Sequence, residues 1–406
     1  MKYFLFFLVS ALIDLPAEIN IARVESACQV PASTVMTEFT GEPGCYGIVQ
    51  YTNDPDIKFT IQEGSLSIYR ELPVASAYDF IPGQGNTQYT EETYDFSYKK
   101  AFRSLSGKVS KERIRNSVYY LSDDPLPRRV LNYTLPGHSL STLAEADIWI
   151  EGRLTGAGYS PWQDETKVRA FGRDLSKPLA HQYAAPPADA PEYPAHNIIA
   201  ELTGSADREN IIVVIAHKDS QSWIASPGAN DNAVGTSAAL ELADVLKDYK
   251  PLHTIRFIFC NEEHTPWTSI TAVNGIRSEG KDVLAAINLD GIGGKSAEQA
   301  GKLINITRYT TPEGERLADL NSMLNKRFFI GLEQSKFRSD SPGDDDGSFI
   351  NGGFPWAVLN IGSMPYADPN YHIEKDTADK VDYDTTERVV KLTLALILHL
   401  DRNGRP

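Results

Sequence analysis

The stretch from Ile211 to Glu263 constrains the fold more than any other. Ile211, Ile212, Val213, Val214 and Ile215 are consecutive and β-branched. Such a run is apolar on both faces, as a strand buried inside a parallel sheet is. It delivers His217 at its end, and a Pro227-Gly228 loop then leads to Asn230-Asp231-Asn232. Ala238, Leu242, Val245, Leu246 and Tyr249 follow at helical spacing. A second apolar strand, Thr254 to Cys260, runs into Glu262 and Glu263. Strand, helix and strand make a βαβ unit. Open α/β sheets bind ligands at the carboxyl ends of their strands, and there this unit gathers one imidazole and three acids. That convergence points to a metal site.

The alternation continues on either side. Asn197–Leu202, Val283–Leu289, 302–306 and Ala357–Ile361 read as strands; Lys111–Leu121, 140–158, 313–326 and 385–400 read as helices. Asp382 and Asp384 start the last helix, which carries Val389, Leu392, Leu396 and His399 on one side. Alternating β and α segments predict a three-layer α/β/α sandwich with a mixed, mainly parallel sheet. The proline-rich connection from Ala184 to Pro194 reads as a loop crossing within one domain. Residues 28–105 are rich in Tyr, Thr, Gly and Pro, with strand-like pieces at 46–51 and 66–72, and predict a small β-rich accessory or prosegment-like region. The catalytic domain is expected over residues 106–406.

Lys2, an apolar run from Tyr3 to Ile13 and then Asp14 make a segment too short to span a bilayer and of the length of a signal-peptide core. A signal peptide is therefore expected within residues 1–27, ending after Ala17 or near Ala27, and with it a secreted, periplasmic or cell-surface location. Cys28 after Ser26-Ala27 resembles a lipoprotein site, although Glu25 sits where such a signal wants an apolar residue. Cys28 and Cys45 suit a short disulfide in an oxidising compartment, whereas Cys260 suits packing on its strand. Two short glycosylation motifs occur, Asn132-Tyr-Thr and Asn305-Ile-Thr. The formal charge of −15 argues against a nucleic-acid partner, which needs an excess of Lys and Arg to meet phosphate.

Two later segments add metal-ligand types: Asp290, at a strand end before Gly291, and His372, after Tyr371 in a loop ahead of the last helix. His217, Asp231, Glu262, Glu263, Asp290 and His372 thus form the candidate set. Imidazole and carboxylate donors suit zinc. Five ligands exceed what one tetrahedral catalytic zinc takes while keeping a position for water, and they suit two zinc ions per chain sharing a carboxylate. A metal pair roughly 3.5–4 Å apart lowers the pKa of a bridging water towards ~7. One carboxylate must stay off the metals to move the water's proton, and the adjacent Glu262 and Glu263 supply a ligand and a base between them.

Five motifs carry a resemblance: HKDS at His217, PGANDN-AVG at Pro227, NEE at Asn261, NLDGIG at Asn288 and YH-IEKDTAD at Tyr371. With them the chain resembles metallopeptidase family 28, the secreted di-zinc aminopeptidases, from about Ser106 to Leu400. The resemblance implies that His217 and Asp290 bind one zinc and Glu263 and His372 the other, with Asp231 bridging. It makes Glu262 the general base, Asp219 the partner that holds the His217 imidazole, and Tyr371 a residue that polarises the scissile carbonyl. Peptides are the implied substrates, cut at the N-terminal residue. Two departures stand out. The family commonly has Gly-Leu and Gly-Ser after the Glu pair, where this chain has His264-Thr-Pro-Trp-Thr-Ser269. The family's Ser-Asp-His/Asp element before a Phe corresponds to either Ser339-Asp340 or Asp345-Asp346.

Two other enzymes share this fold and motif order. A carboxypeptidase for acidic C-termini needs a basic cluster, for which Arg308, Arg327 and Arg338 are candidates. A single-zinc glutaminyl cyclase is the other, and the Asn230-Asp231-Asn232 context favours the paired-metal form over it. A non-catalytic binding module should have lost ligands or base, and this chain has lost neither. His138, His181, His196, His253, His264 and His399 are expected to be structural, with His264, directly after the ligand, the one candidate to touch substrate, and Asp344–Asp346 to form a solvated acidic turn rather than a calcium loop.

Overall fold

The computed structural model describes residues 94–406, together with the backbone of three short strands before them. Those strands, β1 (Glu38–Thr40), β2 (Ile57–Gln62) and β3 (Ser65–Arg70), form an antiparallel sheet in the order β1-β3-β2. The strand expected from Leu66 falls on β3. The leader, the strand at 46–51 and the Cys28–Cys45 pair lie outside the described residues. The chain divides into two compact units, Met1–Tyr94 and Asp95–Pro406. The second begins ahead of Ser106 because helix α1 (Lys99–Ser106) packs on the C-terminal helix, where Tyr98 Oη meets His399 Nδ1 at 2.8 Å.

The second unit is built on a nine-stranded sheet. Its strands are β4 (Trp162–Ala170), β7 (Tyr193–Leu202), β8 (Asp207–His217), β9 (His253–Cys260), β10 (His264–Thr265), β11 (Asp282–Leu289), β12 (Ile304–Tyr309), β13 (Glu333–Arg338) and β14 (Ala357–Ile361). They lie in the order β10-β4-β7-β9-β8-β11-β14-β12-β13. The centre, β9-β8-β11-β14, is parallel. Strands β4, β7 and β10 add antiparallel on one side. On the other side β12 pairs antiparallel with β14 and parallel with β13. A two-residue hairpin, β5 (Gly172–Arg173) with β6 (Tyr183–Ala184), stands apart between β4 and β7.

Helices cover both faces, which is why β8 and β11 read as unbroken apolar runs. Ile211, Val213 and Ile215 pack under α5 (Ser269–Ser278) and α7 (Asp344–Asn351) through Ala272, Val273, Ile276 and Phe349. The opposite layer comprises α2 (Lys111–Ser122), α4 (Val234–Leu246), α6 (Pro312–Arg327) and α8 (Tyr383–Asn403), with α3 (Thr142–Gly156) beside α4. Asp382 caps α8, accepting the Thr385 N–H at 2.9 Å. Register brings His217 opposite Cys260 and Leu289 opposite Asn360, so the ends of β8, β9, β11 and β14 share one edge. Asn305 is wholly buried on β12, which removes its glycosylation motif from the surface.

Candidate metal centre

Three of the candidate ligand segments sit where a central strand stops, and two loops bring the others to the same edge. His217 is the last residue of β8, the Glu262–Glu263 pair follows β9, and Asp290 follows β11 with its N–H on Asn360 O at 3.1 Å. Asp231 lies in the irregular turn before α4 (φ −126°, ψ 85°), and His372 in the loop after β14 at φ 57°.

Two half-sites result, joined by one carboxylate. His217 Nε2 lies 3.1 Å from Asp231 Oδ1 and 3.5 Å from Asp290 Oδ1. His372 Nε2 lies 2.9 Å from Asp231 Oδ2 and 3.2 Å from Glu263 Oε1. Within each triad the donor atoms fall within 4.8 Å of one another, and all five residues are buried. Asp231 Oδ2 takes no hydrogen bond despite its burial. A buried acceptor without a donor is costly, and an oxygen aimed at the common focus of two other donors is placed to bind a cation. Nitrogen and carboxylate oxygen in this arrangement fit zinc. The electrostatics agree: burial pushes Asp290 up to about 7, against the pull of His217. Burial also works to lower His372, yet Glu263 and Asp231 outweigh it and hold the imidazole at about 10. Protons held this strongly occupy positions that suit a divalent cation.

The supports around these donors are equally buried. Asp219 accepts the backbone N–H of both Glu262 and Glu263 at 2.9 Å and stands 3.3 Å from His217 Nδ1, which turns Nε2 towards Asp231. Gln221 Nε2 donates to Asp231 O at 3.1 Å and to Glu263 Oε1 at 3.0 Å. Asp376 accepts the N–H of Asn230 at 2.8 Å and of Asp231 at 3.0 Å. Sequence reasoning missed Arg129, which is fully buried. Its guanidinium donates to the carbonyls of Leu121, Lys218 (2.7 Å), Pro227 (2.9 Å) and Gly228 (2.8 Å). No spacing around Arg129 signals that role, because backbone carbonyls carry no sequence signature.

The model of peptidase family M28 matches residues 197–397, which contain every candidate ligand. Through these residues the chain belongs to peptidase family M28. A Saccharomyces cerevisiae protein named as a probable aminopeptidase is 25% identical over 224 residues, covering 52% of this chain and 59% of the relative. A probable zinc metalloprotease of Pyrenophora tritici-repentis is 25% identical over 246 residues, covering 50% of this chain and 51% of the relative. The chain therefore spans between about half and three-fifths of the length of these curated relatives. Among solved structures, the Legionella pneumophila LapA aminopeptidase is similar with a TM-score of 0.58 and 17% identity, over 79% of this chain and 78% of that one. A Bacteroides thetaiotaomicron glutaminyl cyclase is similar with a TM-score of 0.54 and 18% identity, over 71% of this chain and 97% of that one. These structural likenesses are likenesses of fold.

Within the M28 frame the departures find their places. His264 does not face substrate. It is fully buried, with Nδ1 at 2.8 Å from Asp219 Oδ2, and its Nε2 accepts the Leu131 N–H at 3.3 Å. The residues after the Glu pair fold back as β10, whose pairing with Arg169 and Ala170 fixes that imidazole. The acidic run is not a solvated turn either. Asp345 and Asp346 are fully buried in the first turn of α7, whose Phe349 enters the core, whereas Asp340 is exposed. Of the two candidates for the family's element, only Asp345-Asp346 is buried, in the helical turn that leads to Phe349. Asp345 Oδ2 accepts from Cys260 Sγ at 3.0 Å, and Asp346 Oδ1 accepts from Arg308 Nη2 at 2.7 Å. Arg308 also meets Asp344, so its charge is neutralised locally, and Arg338 is exposed at the end of β13. Burial, with Asp345 and Asp344 nearby, pushes the Glu262 carboxyl well above its ordinary range, and its buried Oε2 takes no hydrogen bond. Tyr371 stacks on His372, ring centroids 3.7 Å apart, and on Tyr366 at 4.9 Å.

Proposed function

We propose that the chain is a zinc-dependent aminopeptidase that removes the N-terminal residue from peptides. The observation that carries the reading is the single carboxylate of Asp231 shared between two complete His-and-carboxylate triads, with Glu262 beside them and outside both. His217, Asp290 and Asp231 Oδ1 would hold one zinc; His372, Glu263 and Asp231 Oδ2 would hold the second. Bound there, the pair supplies Lewis acidity and lowers the pKa of a water.

The chain's own residues do the rest. Glu262 takes a proton from the attacking water and returns it to the departing amine, a task for a carboxyl of raised pKa in a buried setting. Tyr371, packed flat on His372, donates from its phenol to the oxygen that gathers charge as the carbonyl becomes tetrahedral. Asp219 fixes the His217 tautomer and, through two N–H groups, the direction of the Glu pair.

Against the carboxypeptidase alternative, the Arg308 charge is already met by Asp344 and Asp346, and Arg338 is exposed at the end of β13. The single-zinc cyclase leaves one of the two triads without a purpose. Location outside the cytoplasm rests on the apolar run after Lys2. The deciding experiment pairs zinc per chain with turnover of unblocked aminoacyl amides. Two zinc ions and hydrolysis that is abolished by N-acetylating the substrate support the reading. One zinc ion with cyclisation of N-terminal glutamine replaces it.

A further inference from the structure

His372 differs from His217 in what orients it. Asp219, within the same sheet edge, holds His217. The Nδ1–H of His372 is held by the carbonyl of Ala180, 192 residues away in sequence, at 3.0 Å. Ala180 lies on the short 3-10 turn Leu179–His181 at the tip of the excursion closed by β5 and β6. That excursion reaches His372 by side chains as well. Tyr183 of the excursion and Trp223 of the loop after β8 set T-shaped rings against the imidazole at 6.0 and 5.1 Å, and Phe171 and Tyr183 pack on Trp223. Its tip is held chiefly by its own bonds. Leu175 is 73% exposed and Leu179 49%, while Asp174 N–H donates to Gln182 O at 2.7 Å, Arg173 Nε to Gln182 Oε1 at 2.9 Å, Lys177 Nζ to Tyr183 O at 2.7 Å and Gln182 Nε2 to Lys177 O at 3.3 Å.

We infer that the hairpin excursion from Gly172 to Ala184 is a clasp on one half of the metal centre, so that the His372–Glu263 position can be emptied selectively while the His217–Asp290 position stays filled. The inference rests on the two-zinc reading above. A carbonyl on Nδ1 fixes which ring nitrogen is free to bind metal and where it points, and losing such a partner costs about 10–100-fold in metal affinity. Among the described residues, no hydrogen bond or ion pair joins the excursion to His217, Asp290 or Asp219, whose partners lie at the sheet edge or in the adjoining loops. Ala180, Tyr183, Trp223 and Gln182 therefore act as positioning residues.

The test replaces residues 175–181 by Asn-Gly, which closes the hairpin on the Asp174–Gln182 pair with a two-residue turn. Zinc affinity is read by competition with a chromogenic chelator, with activity left aside. The wild-type chain should bind two zinc ions. The shortened variant should keep one at unchanged affinity and hold the other about 10–100-fold more weakly. Two backgrounds assign the position. In Asp290→Asn, which spares the His372 side, shortening should weaken the remaining zinc about 10–100-fold; in Glu263→Ala, which spares the His217 side, it should change nothing. Gln182→Gly, which loosens the clasp without removing it, should move the same affinity in the same direction and keeps the test valid where the shortened chain does not fold. Two zinc ions in the wild type with affinities untouched by shortening, or lowered equally at both positions, overturn the clasp. Fewer than two in the wild type overturn the reading beneath it.

Discussion

Arg129→Met is the substitution whose outcome the structure constrains most closely. It removes a fully buried guanidinium that ties the end of α2, through Leu121 O, to Lys218 O beside His217 and to Pro227 O and Gly228 O ahead of Asp231. Methionine has similar length and no donor. The carbonyls left behind each cost about 1–3 kcal/mol when buried without a partner. Gly228 O keeps the Ala233 N–H at 3.0 Å, so three are at risk. Against this, the chain no longer buries a cation, whose desolvation is worth several kcal/mol. Burial already lowers the Arg129 pKa to about 10, with Asp219, Asp376 and Asp231 opposing. The balance is a loss of about 2–4 kcal/mol, read as a lower urea midpoint at unchanged slope. Because the freed loop carries the bridging Asp231, zinc should weaken at both positions together, unlike the one-sided loss expected from the hairpin. Arg129→Lys restores the charge without the fork and should recover only part of the stability. An Arg129→Met chain with the wild-type urea midpoint and both zinc affinities intact would refute the reasoning.

Other outcomes follow from the same geometry. Glu262→Gln should keep both zinc ions and lose turnover by several orders of magnitude, whereas Glu263→Ala should lose the His372-side zinc; near-normal rates in Glu262→Gln would remove it as the base. His399 is buried against Tyr98, and burial holds its pKa down to about 4. A depressed histidine stabilises the fold above the unfolded pKa near 6.5 and loses that contribution as pH falls towards 4. Stability should therefore drop by about 3 kcal/mol over that window, and His399→Gln should flatten the drop in urea titrations. Expression with the natural N-terminus in a secreting host should yield a mature chain beginning at Glu18 or near Cys28, read by N-terminal sequencing; retention of Met1 would remove the signal-peptide expectation.

What the sequence discloses here depends on whether a feature is written in side chains or in backbone. The apolar runs at Ile211–Ile215 and Thr254–Cys260 must be buried, so β8, β9 and the site edge were legible, as was α8 from its apolar side and its Asp382 cap. Strands β4 (WQDETKVRA) and β13 (EQSKFR) were not, because near the sheet margins their exposed faces carry charge and no apolar alternation survives. The acidic run at Asp344 misleads for the opposite reason. Three consecutive aspartates read as solvated, yet Arg308, distant in sequence, neutralises Asp344 and Asp346, and Asp345 is packed against Cys260. The five candidate ligands came together because His217, Glu263 and Asp290 sit at strand ends and the loops carrying Asp231 and His372 return to the same sheet edge. Their holders, Arg129 and Ala180, act on or through carbonyls and leave no mark in the sequence.

This division explains how three carboxylates can be buried beside one another before any cation arrives. The cost is expressed in Asp290, which burial pushes up to about 7, and in the neighbouring Asp376, which burial pushes up to about 8. Yet the loops that carry them are not held by the metal-binding atoms. Asp231 is fixed through its own N–H to Asp376 and its own carbonyl to Gln221, and the Glu pair through two N–H groups to Asp219. The bridging oxygen Asp231 Oδ2 is thus left without a hydrogen bond, while the backbone is already committed. A site organised this way is preformed: removing zinc should return protons to Asp290 and His372 and leave the sheet edge in place. Zinc then stabilises the fold only by mass action on an existing site, and metal-free chain should regain its zinc without refolding.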